Sequence, residues 1–402
     1  MGIFSSFFCC HRHNDHGSSV GRPSEEGPPI VSKPLQPYID TMQQKESGNS
    51  SMEWKALPYV KTESSLRGLA CQAEGFGRSA IGGLHGAVYN VNTLEDDGPG
   101  SLRYGCRLKQ PLWIVFDLSG TIQLKSILNV SSFKTIDGRG QRIKLTEKGL
   151  RLKDCEHVII CNLEIECGKG PDADAIQIKP NSRHIWIDRC SLRDYADGLI
   201  DVTRESTDIT ISRCYFAQHN KTVLIGADPS HVGDKRIRVT IHHCFFDGTT
   251  QRHPRVRFAK VHLYNNYTRN WGIYAVCASV KSQVTMLQLE LCLSFSLPKN
   301  LTFLRQIYSQ CNIYEAGEKK VAFKYMSEKA TDEEPACGFI KSEGDWFVGG
   351  TQPGLMTGHA CEIFHPSEFY GSWTMEAPTE ALKTFLQNGT GWQSVPLPPD
   401  VK

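Results

Sequence analysis

The chain has 402 residues, enough for a large core or for two or three domains. Its 45 Lys and Arg nearly balance 43 Asp and Glu, for a formal net charge of +2, and no Lys/Arg run stands out. That balance argues against a nucleic-acid partner, so any attraction for an anionic polymer must be local.

The N-terminus, MGIFSSFFCCHRHNDHG, lacks a basic n-region and a clear small-residue cleavage site, and reads as a poor secretory signal. It fits Met-Gly-x-x-x-Ser, with Gly2 placed for myristoylation and Ser6 in the required position. Cys9 and Cys10 stand where palmitoylation would add the second anchor that stable membrane attachment needs. The plain alternatives are a leader with a chance motif and a location in the cell wall. Residues 11–65 are rich in Ser, Pro, Glu and Lys with little apolar periodicity, so residues 1–68 are expected to form a disordered arm. Order is expected from about Leu69, in one domain over 69–402.

Short strands separated by turns follow. LWIVFDLSGTIQL (112–124) is a β-branched run broken by Ser-Gly, and FKTIDGRG (133–140) is a strand ending in an Asp-Gly turn. HVIICNLEI (157–165), HIWIDRCSL (184–192), DITISRCYF (208–216), RVTIHHCFF (238–246) and KVHLYNNYT (260–268) resemble one another. Each alternates apolar residues and then sets Cys or Asn before a further apolar position. Aligned on Asn162, Cys190, Cys214, Cys244 and Asn266, they step by 28, 24, 30 and 22 residues. A repeat of this size built from short strands predicts an all-β solenoid, with three strands to a coil of a parallel β-helix. Residues one period apart in sequence then lie about 4.8 Å apart in space. Fifteen cysteines would leave one odd thiol in a disulfide framework. Cys190, Cys214 and Cys244 recur within the repeats and read as small buried residues.

From Asn266 to Cys311, in the next repeat IYSQCNIY (307–314), is 45 residues, about two periods. Removing the 23 residues 284–306 leaves 22 and restores the period. That segment begins with Val and ends with Gln, whose codons can carry the GT and AG borders of an intron. It reads as a retained intron, with an ejected loop as the alternative. KVAFKYM (320–326) and DWFVGG (345–350) are further strand-like runs, and TEALKTFL (379–386) is a short helix. The C-terminal stretch 330–402 is expected to cover an open end of the solenoid, where edges need protection.

The chemistry concentrates between Asp172 and Arg257. Asp172, Asp174, Asp197 and Asp201 come first; Lys221, Arg252, Arg255 and Arg257 follow. Between them lie β-rich runs, so each cluster can sit at a strand end. Oxygen donors beside cations suggest a cation site next to a grip for an acidic substrate. Lys221 also lies within the glycosylation sequon Asn220-Lys221-Thr222, where a glycan would obstruct such a site.

The motifs AIGG, WIVFDLSG, IDGRG, DADAI, HIWID, ADGLID, STDITIS, HNK, RHPRVR and NNYTRNWGIYA occur in this order. Through them the chain resembles plant pectate lyases of polysaccharide lyase family 1, from about Leu69 to Tyr325 with the inserted segment excepted. The resemblance implies a right-handed, single-stranded parallel β-helix, calcium dependence, and β-elimination of de-esterified pectin. It implies Asp174, Asp197 and Asp201 as calcium ligands with Asp172 beside them, Arg252 as the catalytic arginine, and Lys221 and Arg257 as substrate-binding residues. The partner it implies is polygalacturonate, and the expected state is a monomer. The family usually has Trp-Ile-Asp-His where this chain has Arg189 in the last position, so the geometry near Asp188 is expected to differ.

Calcium takes six to eight oxygens, so three Asp leave room for water and a uronate carboxylate, and it can stabilise charge developing at that carboxyl. A guanidinium is an awkward base because it is normally protonated; nearby cations at Lys221, Arg255 and Arg257 disfavour its charge. The competing readings are a non-catalytic β-helix that binds acidic polysaccharide, a pectin lyase acting on esterified polymer, and an inactive splice product. The Asp cluster argues against the second, since an ester gives calcium little to hold.

Overall fold

The computed structural model describes residues 66–280, 306–328, 338–354 and 364–397. The acylation motif at Gly2, Cys9 and Cys10, the arm as far as residue 65, and residues 284–305 of the proposed insert lie outside the described residues.

The described chain winds as a right-handed parallel β-helix. Three sheets of ten, nine and eight strands run its length, and every strand pairs with one a coil away. One coil shows the plan. Arg183–Asp188 lies in the ten-stranded sheet, Ser191–Arg193 in the nine-stranded sheet and Gly198–Val202 in the eight-stranded sheet. Thr207–Ser212 then returns to the first sheet beside Arg183–Asp188, in parallel register.

Alternation along each strand builds the core. Ile185, Ile209, Val239, Val261 and Ile307 pair one above another, as do Ile187, Ile211, Ile241 and Leu263. All are buried. Each such side chain taken from water contributes roughly 1.5–3 kcal/mol, and the flat stacks Phe216–Phe246 (4.7 Å between ring centroids) and Phe245–Tyr267 (4.9 Å) add aromatic packing.

The corner between the ten- and nine-stranded sheets repeats in every coil. Asn162, Arg189, Arg213, His243, Asn265 and Cys311 all take left-handed backbone there, with φ between 49° and 58°. The next residue stacks inward, giving the ladder Leu163, Cys190, Cys214, Cys244, Asn266 and Asn312, joined by backbone hydrogen bonds of 2.8–3.0 Å. The sequence alignment had therefore slipped by one at both ends, on Asn162 and Cys311. Cys190, Cys214 and Cys244 are buried free thiols. Asn266 Nδ2 donates to Asn312 Oδ1 at 2.9 Å, so amides continue the ladder where the cysteines stop.

Beyond the predicted insert the stack resumes without a break. Lys260–Tyr264 pairs with Gln306–Gln310, Tyr267–Arg269 with Ile313–Glu315, and Val276–Ser279 with Phe323–Met326. The C-terminal helix, Glu380–Gly389, is capped by Thr379 Oγ1 accepting from Leu382 N. It lies along a flank, not across an open end: Leu382 and Leu386, one turn apart, bury against Phe245, Tyr267 and Ile313 of the nine-stranded sheet. The chain then runs back along the corner ladder, with Gly391 N donating to Arg213 O at 2.7 Å and Gln393 N to Asn162 Oδ1 at 2.9 Å. Among the described residues no helix is long and apolar enough to cross a membrane.

Candidate active site

The outer face of the eight-stranded sheet carries the charged residues. Its central outward positions form one ladder: Asn129, Arg151, Gln177, Asp201, Leu224, Arg255, Cys277 and Lys324. Lys221 is paired beside Gly198 and bridges to Gln251, next to Arg252. Arg252 O accepts from Val223 N at 2.8 Å, so its left-handed backbone (φ 70°) is pinned to the strand Lys221–Ile225. Residues as far apart in sequence as Asp174 and Arg252 thus share one face because the coil repeats.

Asp174 and Asp201 converge. A Cβ placed on Gly198 would stand 2.8 Å from Asp174 Oδ1 and 3.1 Å from Asp201 Oδ1, so only glycine leaves the two carboxylates their shared space. Asp174 Oδ1 accepts from Gly198 N at 2.7 Å and its Oδ2 from Gln177 Nε2 at 3.0 Å. Arg151 Nε in turn holds Gln177 Oε1 at 2.9 Å. Burial raises the Asp174 carboxyl above its ordinary range, and the two hydrogen bonds only partly offset it. Burial and the Asp174 charge together push Asp201 up to about 8, against the pull of Arg252 and Lys179. Facing carboxylates with raised pKa values are hard oxygen donors whose repulsion a divalent cation would relieve.

The other two predicted ligands are placed differently. Asp197 Oδ1 accepts from Lys221 Nζ at 2.6 Å, so this carboxylate is turned to the lysine. Asp172 is exposed, with Oδ2 3.8 Å from Lys179 Nζ; it borders a recess of about 240 Å³ that Lys125, Lys148 and Asp174 also line. Among the described residues no group of three or more His, Cys, Asp or Glu is arranged as a complete metal cage. The two facing carboxylates, Asp174 and Asp201, would suit a cation that takes its remaining oxygens from elsewhere.

The cationic side divides in the same way. Arg252 Nε is buried and has no hydrogen-bond partner among the described residues. Arg257 donates instead to Glu328 through Nε (2.6 Å) and Nη2 (3.0 Å), and through Nη1 to Gly226 O and Ala227 O. Arg255 also donates to Glu328. Next to Arg252, burial pushes His253 down to about 3, so it stays neutral. Tyr274 is buried among the fields of Arg252, Arg255 and Arg257, its hydroxyl unpartnered among the described residues.

Residues 118–329 match the pectate lyase family profile, more than half of the chain. The chain belongs to the pectate lyase family. It is 42% identical over 236 residues to the Arabidopsis thaliana protein called "Probable pectate lyase 4", covering 56% of this chain and 63% of that one. It is 38% identical over 309 residues to the Arabidopsis pectate lyase relative numbered 21, covering 72% of this chain and 73% of that one. The chain thus spans about two thirds of the length of these curated relatives. Among solved structures, the cedar pollen allergen jun a 1 superposes with a TM-score of 0.68 at 29% identity, over 83% of this chain and 98% of that one. A Bacillus pectate lyase solved with trigalacturonate shares the fold, with a TM-score of 0.60 at 20% identity, over 80% of this chain and 99% of that one.

Gln177, Gly198, Tyr274 and Glu328 also shape this face, though no single one of them carries a signature in the sequence. The coil period pointed to Gln177, which lies one coil before Asp201. Glu328 lies two residues beyond the strand Phe323–Met326, outside the alternation.

Proposed function

We propose that this chain is a pectate lyase that cleaves de-esterified pectin by β-elimination, using calcium and Arg252. The observation that carries the reading is the shared face: a two-carboxylate seat, Asp174 with Asp201, beside an arginine whose buried Nε lacks a partner among the described residues. In polygalacturonate the C5 proton lies next to a carboxylate. Its removal sends the C5–H electron pair into a C4=C5 double bond; the C4–O4 bond breaks and O4 leaves with its pair to take up a proton. No water is consumed.

Calcium held by Asp174 and Asp201, with Asp197 and Asp172 near, would supply Lewis-acid stabilisation of the charge that builds on the substrate carboxyl. The chain's own residues do the rest. Arg252, whose carbonyl accepts from Val223 N, would take the C5 proton in its neutral guanidine form, which the neighbouring cations favour. Lys221, steadied by Asp197, offers the remaining hydrogens of its ammonium to a uronate carboxylate. Arg257, held by Glu328, adds positive field beside them.

Polygalacturonate incubated with the protein and calcium should gain the ultraviolet absorbance of an unsaturated uronide, and chelator should abolish it. Arg252→Lys should keep the fold and lose at least about 100-fold in kcat, the low end of what a proton-transferring group contributes. No absorbance at any pH, with polymer still bound, would leave a polysaccharide-binding β-helix as the function.

A further inference from the structure

Glu328 stands two residues past Phe323–Met326, the edge strand of the eight-stranded sheet. From that edge its carboxylate reaches back across Val276–Ser279 to Arg255–Arg257. Oε2 accepts from Arg257 Nε at 2.6 Å, and Oε1 from Arg257 Nη2 at 3.0 Å and from Arg255 Nη2. The three side chains are shielded, with 9%, 14% and 18% exposure for Arg257, Arg255 and Glu328. Two-point pairing of guanidinium with carboxylate is the strongest form such a contact takes.

A uronate carboxylate is the same chemical group as this one: two oxygens, one negative charge. The fork of Arg257 and the Nη2 of Arg255 would be its natural grip, and the chain's own carboxylate already fills both. The remaining buried donor, Arg255 Nε, has no partner among the described residues. One such N–H still favours a carboxylate over an ester carbonyl, but it discriminates less than the two-point grip that Glu328 occupies. Arg252 differs, because no ion pair engages it among the described residues.

We propose that Glu328 is a charge-specificity residue. It stands in for a substrate carboxylate on Arg255 and Arg257, so the two-point grip that would single out an acid unit is already taken and the galacturonate unit at that end of the face is accepted as its methyl ester with less than a tenfold loss. This rests on the lyase reading for the identity of the polymer.

The test is binding of trigalacturonate and its single methyl esters by the full chain, measured in chelator so that no turnover occurs, followed by KM and kcat with calcium. In the wild type, at least one mono-ester should bind less than tenfold more weakly than the free acid. In Glu328→Gln, which keeps the side-chain size, the free acid should gain about tenfold over that ester, the scale of one charge-assisted hydrogen bond. KM should fall while kcat stays within twofold. The proposal is overturned if every mono-ester binds the wild type tenfold or more weakly than the acid, a result that does not depend on the variant folding. It is overturned equally if the Gln variant shows no preference for the acid. A chain that makes no unsaturated product but whose Gln variant gains affinity for the acid keeps this inference and loses the lyase reading. A lyase in which Glu328→Gln changes nothing loses this inference alone.

Discussion

Gly198→Ala probes the cation seat most directly. The added methyl would stand 2.8 Å from Asp174 Oδ1 and 3.1 Å from Asp201 Oδ1, and real Cβ contacts are essentially never below 3.0 Å. Gly198 opens the strand Gly198–Val202, away from the left-handed region, so the substitution adds crowding without dihedral strain. Something must move. Asp174 is held at Oδ1 by Gly198 N itself and at Oδ2 by Gln177; Asp201 lies three residues along the strand Gly198–Val202. Crowding of this kind costs about 1–3 kcal/mol of stability. Separating the two carboxylates also costs the cation a charged ligand, roughly 1.5–3 kcal/mol, which is about 10- to 100-fold in affinity. The assay is the thermal midpoint as calcium is added back to chelated protein, since a ligand that binds only the folded chain raises the midpoint by mass action. Wild type should respond at a calcium concentration about 10- to 100-fold lower than the variant. A Gly198→Ala protein with a wild-type calcium curve would refute the seat.

Two further outcomes follow from the same geometry. Burial first, and the neighbouring Asp174 charge second, raise Asp201 from 3.8 to about 8, so the folded chain holds a proton there that the unfolded chain has released. Stability of the chelated protein should therefore fall as pH rises from about 4 to about 8, calcium should reverse that slope, and Asp201→Asn should flatten it; a chelated wild type whose midpoint climbs across this window contradicts the assignment. On the far flank, Leu386→Ala should cost about 2–4 kcal/mol, read as a lower denaturant midpoint, because it empties the contact of the C-terminal helix with Phe245, Tyr267 and Ile313. Turnover by that variant should stay within twofold of wild type.

The solenoid was legible because every coil writes the same alternation, whereas Asp174, Asp201, Lys221 and Arg252 stood out only through the motifs DADAI, ADGLID, HNK and RHPRVR that carry the family resemblance. The one-residue slip has a specific cause. Each corner holds two adjacent positions, one left-handed and one stacked inward, and Asn suits both: Asn265 takes the first and Asn266 the second. Nothing in the sequence tells Asn162 from Leu163 as the stacked residue. The pairing of Asp197 with Lys221, and of Arg257 with Glu328, was equally hidden. Alternation fixes which face a side chain takes, whereas the partner it chooses depends on which opposite charge the coil above or below brings within reach.

Arg189 occupies the left-handed corner position of its own coil. Read beside Asp188 in the motif HIWID, it looked like a departure close to the chemistry. In the structure it is a corner residue, buried and left-handed, between the ten- and nine-stranded sheets, across the core from the sheet that carries Asp201 and Arg255. Its Nη1 donates to Gly389 O at 2.6 Å, the last residue of the C-terminal helix. Asn162 and Asn265, at equivalent corners, grip Gln393 and Glu376, which flank the same helix. Asp188 is set by Arg213 Nε at 2.7 Å and Ser212 Oγ at 2.6 Å. Arg189 therefore serves the strap along the flank, where a left-handed non-glycine residue costs about 1–2 kcal/mol that the strap contacts offset. Arg189→His should lower stability by about 1–3 kcal/mol, through the lost bond to Gly389 and the space left behind, while kcat/KM stays within twofold. A fall in kcat/KM at unchanged stability would place Arg189 back in the active site and defeat this account of the corner.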